Sequence, residues 1–489
     1  MRTSTWLSGR RTAPVLVVGF LVWGTAPPPA AAQCELDKLL ASDGAVGERF
    51  GFSVSISGDV AVLGAKYDDD NGELSGSAYV FRRNGLSWVE EAKLTASDGA
   101  LNDQLGVSVS ICGDVIVVGA HGDDDNGSFS GSAYMFVKPA GGWVNMTQTA
   151  KLTASDGSEV DIFGFSVAIS GDLVVVGAPH DDQNGFNSGS AYVFKKPPGG
   201  WGSIPSAINE TAKLTASDGA GGDDFGISVS VSGDVAIVGA LQDDDNGINS
   251  GSAYVFQEPA GGWVDMTQTA KITASDGTAE DHFGFSVAIS GDVAVVAAPA
   301  ADGNVPLTGS AYVFRLNGAS WVQEAKLTAS DGAAIDHFGY SVSISGDVAV
   351  VGATNADDNG EFSGSAYVFS KPPGGWVDTT ETAKLTASDG ASSDQFGTSV
   401  SISGDVAVVG AQFGDGKVVN SGSAYVFVGL YGLDYNGNGV ADVCEALSGA
   451  DITGPGGVPD GCVDAFDLAA LLVEWCSLAG GNPCGTCGP

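Results

Sequence analysis

Basic residues are scarce in this chain. Lys and Arg number 20 against 59 Asp and Glu, which leaves 489 residues with a formal net charge of −39. Such a surface cannot neutralise a phosphate backbone, so nucleic acid is excluded as a partner. Solubility, cations or basic partners are what such acidity suits. Histidine is scarcer still, at four residues. No His-Glu-x-x-His zinc motif and no Gly-x-Ser-x-Gly nucleophile elbow occurs. After the N-terminus no apolar run is long enough to cross a membrane, so no span is expected in the mature chain. Hydrophobic residues still make up 43% and glycine 73 positions, so the chain has a core to bury and is not a disordered one.

The N-terminus reads as a signal peptide over residues 1–32. Arg2, Arg10 and Arg11 form a basic start, Val15 to Trp23 is a short apolar core, and Ala30-Ala31-Ala32 offers a cleavage site. The expected location is therefore secreted or at the cell surface. Of seven cysteines, five crowd the end at Cys444, Cys462, Cys476, Cys484 and Cys487, which suggests disulfides of unknown pairing. Cys112 stands where other repeats carry serine and is expected to be an odd thiol. Cys34 could staple the N-terminus to the tail.

Self-similarity dominates what is present. Gly-Ser-Ala-Tyr recurs with its tyrosine at Tyr79, Tyr134, Tyr192, Tyr254, Tyr312, Tyr367 and Tyr425. A lysine ahead of an Ala-Ser-Asp-Gly turn recurs at Lys38, Lys93, Lys151, Lys213, Lys271, Lys326 and Lys384. Each unit reads as four short strands. Phe50 to Ile56 alternates with period two, Ser57-Gly58-Asp59 is a tight turn, Val60 to Leu63 is a continuous apolar run, Ser77 to Phe81 is the third strand, and Trp88 to Thr95 the fourth. The spacing predicts an all-β fold: a seven-bladed β-propeller of four-stranded blades over residues 33–428. The seventh unit lacks its own fourth strand, and an orphan copy, Cys34 to Leu40, precedes the first. A ring explains both, with the N-terminal strand completing the last blade.

Phe50-Gly51 with Gly64-Ala65, and copies such as Phe163-Gly164 with Gly177-Ala178-Pro179, resemble FG-GAP repeats. The resemblance covers roughly residues 34–428 and is closest to a bacterial exported subgroup. That family forms the propeller of integrin α-subunits, so the resemblance implies an interaction platform. Integrin-type repeats often hold calcium between strands one and two. Here that connection is only Ser-Gly-Asp, too short to wrap an ion.

Strand parity places the 2–3 and 4–1 loops on one face. That face collects Asp68-Asp69-Asp70, Asp123-Asp124-Asp125, Asp181-Asp182, Asp243-Asp244-Asp245 and Asp357-Asp358, with Asp98, Asp103 and their copies. The other face receives Arg82, Arg83, Lys138, Lys195, Lys196, Arg315 and Lys371. A disc with one acidic face is expected. Its aspartates either contact a metal or basic partner, with Asp68 to Asp70, Asp123 to Asp125 and Asp243 to Asp245 the candidates, or serve as ordinary turn residues. The recurring Trp88, Trp143, Trp201, Trp263, Trp321 and Trp376 read as packing groups of strand four.

Residues 429–489 change composition. Asp434 to Glu445 fits the twelve-residue EF-hand register, with calcium ligands Asp434, Asn436, Asn438, the Val440 carbonyl, Asp442 and Glu445, and Gly439 at the sharp turn. Asp460 to Asp467 is similar to half of a dockerin-like calcium repeat, where Asp464 and Asp467 are candidate ligands. Leu468 to Trp475 reads as a short helix. By resemblance such tails attach a protein to a scaffold.

The function expected is that of a non-enzymatic binding or adhesion protein with calcium in its tail and a protein or glycan ligand at the cell surface. Two alternatives stand beside it: a polysaccharide hydrolase or lyase using His121 or His180 on the acidic face, and a structural envelope component. Ligand identity and oligomeric state stay open.

Overall fold

The computed structural model describes residues 34–203, 207–303 and 305–430. Residues 1–33 and 431–489, with Asp434, Asn436, Asn438, Val440, Asp442, Glu445, Asp464 and Asp467, lie outside the described residues.

Seven antiparallel sheets follow one another along the chain. In blade 1 the strands run Phe50–Ser57, Val60–Ala65, Ser77–Asn84 and Ser87–Thr95, in that order from the inside outward. The second strand is buried at every residue. It is covered on both sides by neighbouring blades, which is why it reads as an unbroken apolar run where the first strand alternates. First strands of successive blades pack side by side all the way round, and the last, Phe396–Ser403, packs against Phe50–Ser57. The ring is closed.

The N-terminal strand makes the closure. Cys34–Leu39 pairs antiparallel with Ser423–Val428, with Lys38 opposite Tyr425 and Leu39 opposite Ala424. The core lies between blades. One cluster joins Leu39, Phe50, Tyr79, Trp88, Val406 and Val426 across the closure. Phe50 meets Tyr79 edge-on at 5.4 Å, a contact worth about 0.5–1.5 kcal/mol beyond its burial.

The two recurring glycines have one cause. A Cβ on Gly64 would lie 2.0 Å from the carbonyl oxygen of Gly106, in the next blade. The same approach recurs at Gly119 with Gly164, Gly177 with Gly226, Gly239 with Gly284, Gly352 with Gly397, and Gly410 with Gly51. Neighbouring blades therefore touch backbone to backbone, and Ser53 Oγ donates to the same Gly106 carbonyl at 2.8 Å. Only blade 5 departs, with Ala297 facing Gly339.

One expectation needs correction. Trp88 and Trp321 stand on fourth strands, but Trp143, Trp263 and Trp376 lie in the 3–4 connection and Trp201 opens a single 3-10 turn, Trp201–Ser203. Their packing role holds, since five of the six are at most 6% exposed. The longer connections also send Met146–Thr147, Met266–Thr267 and Thr379–Thr380 to pair in parallel with the outer strand of the preceding blade. These segments cover an edge that would otherwise stay open.

Candidate functional site

The acidic face has two parts, an outer rim that repeats and a centre that does not. On the rim, the lysine of each fourth strand points into the aspartates. Lys93 Nζ lies 2.8 Å from Asp43, 2.8 Å from Asp68 and 2.5 Å from Asp70. Lys151 repeats this with Asp98, Asp123 and Asp125, and Lys271 with Asp218, Asp243 and Asp245. These three carboxylate triads could each hold a metal ion by geometry. Each already encloses an ammonium group. Burial pulls Lys93 down, but hydrogen bonds and charge from Asp43, Asp68 and Asp70 outweigh it and push the amine above its ordinary value.

Each aspartate of the loop has its own task. Asp68, 1% exposed, accepts from Ser77 Oγ at 3.1 Å, Tyr79 Oη at 2.7 Å and Lys93 Nζ at 2.8 Å. Burial, then the Asp68 charge, raises the Tyr79 phenol far above its usual value, so it stays a donor. Asp69 accepts from the Leu74 amide at 2.7 Å, and Leu74 has a φ of 57°. Asp124 and Asp244 serve Phe129 and Asn249 the same way, at φ near 55°. These middle aspartates are loop staples, as the turn reading expected. Of the 2–3 loop aspartates, Asp70, Asp125, Asp245 and, in blade 6, Asp358 reach both solvent and lysine.

The Ala-Ser-Asp-Gly turn acts between blades. Its aspartates belong to one blade and bind side chains of the next: Asp43 accepts from Lys93 and Tyr79, and Asp98 from Lys151. Its serine does likewise. Ser42 donates to Glu90 at 2.7 Å, Ser155 to Glu210 at 2.5 Å, and Ser388 to Glu35 at 2.8 Å. Gln148, Gln268 and Gln323 take the same place in other blades. Glu381 accepts from Ser330, so seven such clasps circle the rim. Lys38 with Asp389 crosses the closure at 2.6 Å.

The opposite face is balanced. Lys138, Lys196, Arg315 and Lys371 pair with Asp114, Asp172, Asp292 and Asp347, the aspartates of the 1–2 turns. The expected polarity of the disc therefore holds, and the acidic face keeps the surplus.

At the centre of the acidic face symmetry fails. Two positions per blade flank the axis there: the pair that follows the second strand, and the residue just before the first. All four histidines fall in these columns, His121 and His180 in one, His282 and His337 in the other. Blade 1 places Lys66-Tyr67 and Arg49 there. Lys66 Nζ sits 3.5 Å over the Phe52 ring, and the Arg49 guanidinium lies 4.7 Å from Tyr67 and 4.6 Å from Phe413 of blade 7. His121 meets Phe165 of blade 3 at 5.7 Å, and Phe285 meets Tyr340 at 5.1 Å. Asp224 supplies a carboxylate in blade 4, bonded by Gln242 at 2.6 Å. Burial, then the nearby Arg49 charge, lowers Lys66 to about 8. Burial, then Lys66 and His180, lowers His121 to about 4. The Nδ1 atoms of His121 and His180 are buried without a hydrogen-bond partner among the described residues. The centre went unnamed in the sequence reading except for its histidines.

A family model described as FG-GAP repeat matches residues 35–81, 88–136, 146–194, 208–256, 266–314, 321–369 and 379–427. The chain belongs to the FG-GAP repeat family. No curated protein matches it. Each FG-GAP match begins on the outer strand of one blade or a few residues before it, and ends on the third strand of the next. The repeat in sequence and the blade in space are offset by one strand, and that offset makes the first and last matches share a sheet. The Phe-Gly and Gly-Ala pairs of the FG-GAP unit meet at the blade interfaces, which is a structural role. Ligand chemistry must be sought elsewhere.

Proposed function

We propose that this FG-GAP propeller is an exported, non-enzymatic interaction platform that captures a protein or glycan partner on its acidic face. One observation carries the reading: that face holds most of the large apolar side chains left in solvent. Phe186, Ile248, Leu307, Phe362 and Val419 stand at its 2–3 loop tips, and Val46, Leu101, Val160 and Ile335 in its 4–1 loops. Apolar tips among carboxylates suit a partner with its own apolar and basic groups. A hydrolase reading through His121 or His180 draws no support from their surroundings, because burial holds both imidazoles neutral and His121 is a weak base near 4. Residues 1–32 would direct export, and the tail would hold calcium through Asp434, Asn436, Asn438, Val440, Asp442 and Glu445 and attach the chain to a surface. Purified mature chain should retain a partner in pull-downs and on glycan arrays, and Phe186→Ser with Ile248→Ser should reduce retention. Retention untouched by both changes, or no ligand of any class, sinks the proposal.

A further inference from the structure

Four cations among the described residues have no carboxylate partner: Arg49, Lys66, Arg83 and Lys417. Arg83 and Lys417 donate to the carbonyls of Gly85 and Ser42. Arg49 and Lys66 do not share that arrangement. Both are half-buried at the axis, close enough for the charge of one to act on the other, and both lie over aromatic rings. Arg49 reaches only the neutral oxygen of Gln412, at 3.4 Å. In a protein with a net charge of −39, two neighbouring cations are held apart from every described acid.

We propose that the centre of the acidic face is a binding site for a single carboxylate carried on an apolar or aromatic group. Arg49 and Lys66 would receive the anion, and the Phe52, Tyr67 and Phe413 rings its apolar flank. An open depression of about 190 Å3 adjoins Phe413, bounded by Phe362, Ser393, Gln395 and Asn420. An anion between Arg49 and Lys66 relieves their mutual repulsion and the cost of their burial. The rim selects charge number. Its carboxylates repel a dianion or polyanion more strongly than a monoanion, so phosphates and nucleic acids are disfavoured. Asp224, across the axis, orients the ligand with its carboxylate toward blade 1. The inference deepens the platform reading by naming the group the centre recognises, and it rests on that reading for its biological use.

The probe is benzoate, titrated into the intact mature chain by calorimetry and by side-chain NMR of lysine. Benzoate should bind one to one and move the Lys66 signal. Benzyl alcohol and inorganic phosphate should bind at least tenfold more weakly. Lys66→Met and Arg49→Met should each weaken benzoate at least tenfold, while Lys417→Met leaves it unchanged. No saturable benzoate binding, or a Lys66 signal that does not move in the unmutated chain, overturns the site, whatever the variants do. That failure leaves the platform reading to its own partner screen. Benzoate binding with no partner captured would end the platform reading and keep the site.

Discussion

The rim and the centre of one face use the same residue types for opposite ends. On the rim, lysines are surrounded by aspartates, tyrosines and serines, and the arrangement recurs with small losses from blade to blade. Blade 5 has Ala301, blade 6 Ala356 and blade 7 Gly414 where Asp68 stands in blade 1, yet Lys326, Lys384 and Lys38 still clasp Asp276, Asp331 and Asp389. At the centre, cations stand without acids and no two blades carry the same set of residues. What recurs in a repeat protein serves the interface every blade shares. A ligand needs one site, so what departs from the repeat marks where recognition can occur.

The largest expected break in this contrast comes from removing a buried rim carboxylate. Asp123→Ala leaves Lys151, Tyr134 and Ser132 with lost partners, and should cost about 3–5 kcal/mol in denaturant unfolding, because one member of a buried ionic network is gone. Lys66→Met at the centre should cost less than about 1 kcal/mol or raise stability, since no described acid loses its partner. Equal losses at the two positions would erase the distinction.

Lys151→Met sharpens it. Asp98, Asp123 and Asp125 would then face one another without their ammonium. The variant should lose about 3 kcal/mol in chelator, and millimolar calcium should restore part of it while leaving the unmutated chain unchanged. No calcium response in the variant would mean that the triad geometry suits only an amine.

A smaller effect is expected from pH. Asp103, Asp161, Asp223 and Asp224 are raised to about 6, first by burial and then by neighbouring aspartates. They bind protons more tightly folded than unfolded, so stability should grow as pH falls from 7 toward about 5. Asp43, Asp123, Asp156 and Asp218 are lowered, because hydrogen bonds and lysine charge outweigh their burial. Their contribution is complete above the unfolded value and disappears as pH falls through the folded one. Thermal melts should therefore peak on the mildly acidic side and drop below about pH 4. A monotonic fall from pH 8 downward would contradict this.

Much of the architecture was legible because periodicity reports it directly. Seven copies, an orphan strand and a missing one led to closure, and the pairing of Lys38 with Tyr425 bears that out. The candidate aspartates were legible as a group and not in their roles. Asp43 and Asp98 were not among the candidate metal contacts, since their lysines lie 50 and 53 residues onward in another blade, beyond any local spacing rule. The shared recurrence of Lys, Tyr and Asp was the available signal. The tryptophans were misplaced because the 3–4 connections of blades 2, 3, 4 and 6 are longer than the hairpin of blade 1, and apolar content alone does not separate a strand from a packed loop. The centre was missed for a different reason. A reading that looks for sameness passes over the columns where blades differ, and only aligning the units shows all four histidines in two of them.

The most direct measurement is the titration of individual lysine amines by NMR in the intact chain. Lys66 should lose its proton near pH 8, while Lys93, Lys151 and Lys271 stay charged beyond the ordinary lysine range. A Lys66 that titrates with the rim lysines, or rim lysines that titrate as exposed amines do, would contradict the division between a neutralised rim and an unpaired centre.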